Sequence, residues 1–271
     1  MTTRARITVL AASLLLSGCD TYHYLAGTIH EDARRPVQAL KHYEKFLSDR
    51  PKDPRSCEVR LRMAALYRSV FSRCEEARAQ YEAAARDFPN QTACLERAKT
   101  GLLMCPDFFP TDTGRTWVYV DSTSGGQAMR LEWEARTSSG AVGSIQSALY
   151  AGKRRIQTKT EYYTKADWAI WRVDKDGREA ILRYPYTEAR TWSAKRGKTT
   201  VEYLIVSSSM TVSLIGGIYS GCLKIREKDS AFKSSWRYDY YCPGVGRVKT
   251  TIGGLGFENP NTELLRFGRI D

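Results

Sequence analysis

"YYCPGVGRVKT", residues 240–250, decides the architecture of the larger part of this chain. Pro243 presets φ at the first corner of a turn, and Gly244 accepts the positive φ that the second corner of a type II turn demands. Tyr240 and Tyr241 precede this corner and Val248 and Thr250 follow it, aromatic and β-branched residues that suit a pleated, half-buried surface. Two strands therefore meet at a tight turn with no helix between them, and such a connection is antiparallel.

The same pattern recurs upstream. "TWVYV" (116–120), "AMRLEWEA" (128–135), "IQTKTEYY" (156–163), "WAIWRV" (168–173), "AILRY" (180–184), "TVEYLIV" (200–206), "CLKIRE" (222–227), "WRYDYY" (236–241) and "GRVKT" (246–250) alternate or cluster strand-forming residues. Turn signals separate them at 124–126 (SGG), 174–177 (DKDG) and 195–198 (KRGK). Short connections predict a mainly antiparallel β domain over 106–271, either a β-sandwich or a strongly curved sheet. "GGIYSGCLKIRE", "YYCPGVGRVKT" and "ELLRF" together resemble the end of an uncharacterised β domain of exported bacterial proteins, in which the corresponding turn joins the last strands. The resemblance implies no activity. Gly244 and Gly246 read as turn residues.

Ahead of this domain the composition changes. All six tryptophans lie after residue 106, whereas 32–105 is rich in Ala, Arg, Glu and Leu. The boundary falls in "CPDFFPTDTG" (105–114), where prolines and glycine stop a helix. "PVQALKHYEKFLSDRPKDP" and "CEEARAQYEAAARDFPNQ" align at an offset of 38 residues, Ala39 on Ala77, Tyr43 on Tyr81 and Pro51 on Pro89. This internal repeat resembles the second helix of tetratricopeptide repeats, with "CEVRLRMAALYRSVF" as a first helix between the copies and "TACLERAKTGLLMC" (92–105) as a cap. The resemblance implies a short TPR-like helical stack over 32–105 that offers a face to a protein partner. The fold expected is thus α+β in two domains, a TPR-like stack followed by an antiparallel β domain.

The N-terminus reads "MTTRARITVLAASLLLSGCD". Arg4 and Arg6 precede about ten uncharged residues, a signal-peptide pattern too short for a ~20-residue membrane span. Leu16-Ser17-Gly18-Cys19 resembles the lipobox of bacterial lipoproteins, which implies cleavage before Cys19 and acylation of its thiol. Residues 1–18 then form the signal peptide and 19–31 a lipid-anchored linker. Asp20 resembles an inner-membrane retention signal of enteric bacteria, and both envelope membranes stay open as the location.

Six further cysteines, Cys57, Cys74, Cys94, Cys105, Cys222 and Cys242, are an even number in an exported chain and read as a disulfide framework. In a stack of the kind implied above, Cys57 faces Cys94 and Cys74 faces Cys105. Cys222 and Cys242 flank a hairpin centred near Phe232 and sit opposite each other. No C-x-x-C spacing supports a metal site.

Histidine occurs only as His23, His30 and His42, so residues 106–271 contain no imidazole for acid–base or nucleophilic chemistry. Carboxylates Glu132 with Glu134 and Asp174 with Asp176 read as surface groups, and no glycine-rich phosphate loop precedes a helix. No enzyme, cofactor or metal is expected. Of the chain's net +12, residues 106–271 carry +7, from 25 basic and 18 acidic side chains. Lys153-Arg154-Arg155, Lys195-Arg196-Lys198 and Lys224-Arg226-Lys228 suggest anionic lipid or acidic glycan at the β surface, and an envelope location excludes nucleic acid as a partner. Two functions fit: a lipid-anchored, periplasm-facing scaffold or interaction module, and a carrier that holds a lipid or other apolar ligand in its curved sheet. An apolar cavity of about 300 Å³ or more is what the carrier requires.

Overall fold

The computed structural model describes residues 21–139, 141–175 and 177–270. The chain divides into two compact units, one ending at Cys105 and the other beginning at Pro106.

Among the described residues the first unit holds five short helices: α1 (21–32), α2 (Pro36–Asp49), α3 (Ser56–Ser69), α4 (Cys74–Asp87) and α5 (Thr92–Leu103). Pro36 opens α2 at a position whose N–H has no intrahelical acceptor anyway. Ala39, Tyr43 and Phe46 of α2 pack on Val59, Met63 and Leu66 of α3. Cys57, Leu61 and Ala64 are buried on other sides of α3, which packs against α2, α4 and α5.

This is a small bundle around α3 and not the TPR-like stack. The two tyrosines matched at the 38-residue offset reach opposite ways along the chain. The Tyr43 ring covers Gly27 of the preceding helix α1, and its hydroxyl donates to Glu31 at 2.6 Å. The Tyr81 ring covers Gly101 of the following helix α5. A repeat array would give both tyrosines the same kind of neighbour.

The second unit corrects the sandwich expectation as well. It is one sheet of twelve strands: β1 (Arg115–Asp121), β2 (Met129–Ser139), β3 (Val142–Ala151), β4 (Arg154–Ala166), β5 (Ala169–Asp174), β6 (Gly177–Arg183), β7 (Thr191–Arg196), β8 (Thr199–Leu214), β9 (Gly217–Asp229), β10 (Ser235–Cys242), β11 (Gly246–Gly254) and β12 (Phe257–Arg269). Strand order is β6-β5-β4-β3-β2-β1-β12-β11-β10-β9-β8-β7, so the first and last strands pair at the centre and the edges are β6 and β7. The two edges come together, with Trp192 Nε1 of β7 donating to the Ala180 carbonyl of β6 at 2.8 Å. The result is a nearly closed antiparallel barrel.

Curvature comes from register shifts at Val118/Tyr119, Ala135/Thr137, Leu149/Tyr150, Ile170/Trp171 and Tyr240/Tyr241, since a bulge bends a strand and increases its twist. The Pro243-Gly244 turn is formed as read, with Gly244 at φ +71° and the Val245 amide donating to the Cys242 carbonyl at 3.2 Å.

Hairpin connections put the turns after odd-numbered strands at one end of the barrel and those after even-numbered strands at the other. The segment leading into β1 plugs the second of these ends. Phe109 packs against Tyr163 and Tyr241, with ring centroids 4.5 and 6.3 Å away. Asp107 accepts from Lys165 Nζ at 2.6 Å, and its carbonyl accepts from the Gly244 amide at 2.7 Å.

The cysteines pair as Cys57–Cys94, Cys74–Cys105 and Cys222–Cys242, with Cα separations of 6.3, 5.2 and 4.2 Å. The first two staple α3 to α5 and α4 to the end of the unit. Closing loops of 37 and 31 residues contributes ~3–4 kcal/mol each by the loop-closure relation. The third bridges strands already held by a ladder. Reduction is therefore expected to raise amide hydrogen exchange in α3–α5 before it does so in the barrel, read by mass spectrometry over a dithiothreitol series. Simultaneous loss of protection in both units would contradict this.

Candidate functional site

Strand alternation places side chains of every second residue inside the barrel. On β9 this face carries Leu223, Ile225 and Glu227, and on β10 it carries Arg237, Asp239 and Tyr241. Glu161 on β4, Arg172 on β5, Tyr203 on β8 and Arg247 on β11 line the same internal space. Sequence reading did not single out these charges, although a carboxylate two residues after Ile225 on a buried face was the visible signal.

With Glu179 and Arg196, these six charges form one chain of eight with alternating sign. Glu161 lies 3.7 Å from Arg172, which bonds Glu179 on β6. Arg196 on β7 donates through Nε to Glu179 at 3.0 Å and through Nη1 to Glu227 at 2.7 Å. Arg237 donates to Glu227 at 2.6 Å and lies 2.9 Å from Asp239, which is 3.9 Å from Arg247. Thr250 and Tyr203 complete the shell, the first donating to Asp239 at 2.8 Å and the second to Glu179. The Arg247 guanidinium also lies over Trp133, 4.3 Å from the ring centroid, and over Tyr119 at 5.3 Å.

The side chains of Glu179 and Asp239 are only 6% and 4% exposed, so pairing decides their state. Burial acts to raise the Glu179 pKa, yet hydrogen bonds from Arg196 and Tyr203 and the charge of Arg172 outweigh it and hold the carboxyl below 4.5. Burial likewise opposes ionisation of Asp239, and the charges of Arg237 and Arg247 with the Thr250 hydroxyl hold it below 3.8. Tyr203 is pushed far up by burial beside Glu227 and Glu179 and stays a donor.

Space inside is small. The cavity enclosed by Phe109, Tyr163, Tyr203, Tyr241 and the arginines measures about 70 Å³. Two larger hollows open at the unplugged end. One, of about 670 Å³, is bordered by Lys159, Glu161, Tyr162, Arg172, Lys175 and Arg196. The other, of about 290 Å³, is bordered by Arg196, Glu227, Phe232, Trp236, Arg237 and Ile252. Arg196, grouped by sequence with a basic surface cluster, is instead the interior link between them.

Lys153, Arg154 and Arg155 with Lys198 lie at the turns of the open end. Lys224 points outward on β9, donating to Glu258 at 2.7 Å and lying 4.3 Å from the centroid of the Tyr238 ring. Glu132 and Glu134 are outer-face groups paired with Arg130 and Arg136 at 2.9 and 2.8 Å. Leu16, Ser17, Gly18 and Cys19 lie outside the described residues, as does Asp176. All three histidines come together on α1 and α2, with His23 Nδ1 3.0 Å from His42 Nδ1 and the His30 ring stacked on His42 at 5.3 Å. Burial, then the charges of His23 and His30, lower the His42 pKa.

No family model and no curated protein matches the sequence. Among solved structures, the chain is similar to a candidate exported protein with a YmcC-like fold from Bacteroides fragilis (TM-score 0.43, 11% identity, 61% of this chain and 100% of that one). It is also similar to a candidate lipoprotein of Parabacteroides distasonis (TM-score 0.41, 15% identity, 59% and 98%). A hypothetical protein of Chlamydia trachomatis is a third (TM-score 0.32, 11% identity, 58% and 87%). These likenesses are distant in sequence and loose in shape.

The carboxylates make the barrel acid-sensitive. Glu161, Glu179 and Asp239 all have folded-state pKa values lowered from ordinary ones of 4.5, 4.5 and 3.8. Each therefore stabilises the fold fully above those ordinary values and loses that contribution as pH falls below them. Urea midpoints followed by tryptophan fluorescence should hold level from pH 7 to about 5 and fall from about 4.5 downward. A level midpoint down to pH 3 would contradict the role given to the chain of charges.

Proposed function

We propose that this protein is a non-enzymatic, lipid-anchored component of the bacterial cell envelope whose barrel serves as a rigid interaction module. The observation that carries this reading is the filling of the barrel. The enclosed space of about 70 Å³ among paired arginines and carboxylates suits neither an acyl chain nor another drug-sized apolar ligand, and the hollow of about 670 Å³ at the open end is bordered mainly by the charged Lys159, Glu161, Arg172, Asp174, Lys175 and Arg196, where such a ligand wants mainly apolar groups. Burying apolar matter against these charges would also strip their partners. That weighs against the carrier and in favour of a module that works through its surface. Leu16-Ser17-Gly18-Cys19 supports the anchor, because an acylated cysteine after an apolar run holds a polypeptide to a membrane without a spanning helix. Among the described residues no helix is long and apolar enough to cross a bilayer.

Absence of histidine from residues 106–271 supports a non-catalytic barrel, and every carboxylate of the interior chain is committed to an arginine. Three disulfides suit an oxidising compartment.

The test combines anchorage with occupancy. Intact-mass analysis of protein taken from membranes should give an acylated N-terminal cysteine, lost in Cys19→Ala, and organic extraction should release no stoichiometric apolar ligand. Panels of ester, peptide and glycoside substrates should show no turnover. An unacylated native protein, or one lipid per barrel that resists repurification, would overturn the reading.

A further inference from the structure

The two ends of the barrel differ in the charge of their turns, while exposed apolar side chains occur at both, Ile215 and Ile218 standing at the plugged end. The open end is formed by the six turns at 122–128, 152–153, 175–176, 197–198, 230–234 and 255–256. These carry Lys153, Lys175, Lys198 and Lys233, all exposed, and no carboxylate among their described residues. In the sequence Asp176 follows Lys175. Arg154 and Arg155 follow directly on β4, also exposed. At the plugged end the turns carry Asp167 and Glu188 against Arg190. The open-end turns themselves are thus basic, although Asp121, Asp174 and Asp229 stand at the strand ends beside them.

Apolar tips stand among those lysines. Leu255 is 88% exposed, the highest value among the large apolar side chains of the described residues, and Phe232 is 62% exposed. They occupy the tips of the two adjacent hairpins β11–β12 and β9–β10. Phe257, Met129 and Ile156, also exposed, lie beside the same turns. Gly256, Gly197 and Gly152 take positive φ in the two-residue turns, which keeps those three turns short. Aromatic and aliphatic tips projecting between lysines on a rigid face match an anionic bilayer, where apolar groups enter the headgroup–acyl boundary and ammonium groups stay with the phosphates.

We infer that the open end of the barrel is a membrane-docking face for anionic lipid, with Leu255 and Phe232 inserting and Lys153, Lys175, Lys198 and Lys233 pairing with headgroup phosphates. The inference deepens the envelope reading above and rests on it for the presence of a bilayer. A single lipid anchor fixes the N-terminus only, and a second contact of this kind fixes the orientation of the barrel.

The experiment places a nitroxide on Leu255→Cys in the mature lipid-anchored protein, with Ile218→Cys of the opposite end as control, and compares collision with oxygen and with a water-soluble nickel chelate. On vesicles of phosphatidylcholine with phosphatidylglycerol, the Leu255 label should gain oxygen access and lose nickel access while the Ile218 label stays in water. On phosphatidylcholine alone both should stay in water. Changing the four lysines to Gln should weaken docking by about fivefold per lysine removed, and added salt should weaken it too. A Leu255 label that stays in water on both vesicles, or binds an acidic protein or glycan while ignoring lipid, overturns the docking face. Anchorage is scored separately by flotation on neutral vesicles. Protein that floats there yet keeps Leu255 in water on anionic vesicles retains the anchor and loses the face. Protein that fails to float there but shows the Leu255 contact on anionic vesicles does the reverse.

Discussion

Arg196 joins Glu179 on β6 to Glu227 on β9 across the gap between the barrel's two edge strands, and the rest of the second unit depends on that link. Edge strands expose unpaired backbone groups and invite pairing with other chains, so a sheet of twelve strands needs its edges covered or joined. Here β6 and β7 are joined by side chains: the Trp192 indole on the Ala180 carbonyl, and the Arg196 fork on two carboxylates. Guanidinium suits the place because its five donors lie in one plane and it stays charged at any pH the protein meets. The same chain of charges fills much of the interior and leaves an enclosed space of about 70 Å³.

An ion chain with buried carboxylates and partly exposed arginines is not by itself a large source of stability, because desolvation offsets most of the attraction. Its consequence is for specificity. Removing one member leaves an unpaired charge behind at ~3–5 kcal/mol, so only one register of β4 to β11 satisfies all eight groups. The plug at the other end acts similarly through Lys165 and Asp107, which tie the segment before β1 to the end of β4. The plugged end is thus tied by Lys165 and Asp107, and the seam between the edge strands by Arg196.

Nine strands and the Pro243-Gly244 turn were legible because their residues carry local β preference. Three strands were not. "VGSIQSALYA" of β3 and "TWSAKR" of β7 are mixed in propensity, and β12 contains Pro260, which pairs Thr251 at a register shift where a ladder tolerates a missing N–H. Closure could not be read, since the pairing of β1 with β12 and the bulges that bend the sheet are long-range properties, and short connections alone left both a sandwich and a strongly curved sheet open. In the helical unit, the matched Ala39/Ala77 and Tyr43/Tyr81 are buried as a repeat would have them, but Gly27 and Gly101 decide which neighbour each ring meets. The interior charges were hidden by their neighbours: Lys224, Arg226 and Lys228 drew attention to the outer face of β9 while Glu227 points inward.

The most direct test of the central link is a double-mutant cycle on Glu179→Gln and Arg196→Gln, with stability measured by urea unfolding at pH 7. If Arg196 and Glu179 close the barrel together, each single change should cost ~3–5 kcal/mol and the double change much less than their sum, a coupling of ~1.5–3 kcal/mol. Additivity within ~0.5 kcal/mol would mean that the seam is held by something else.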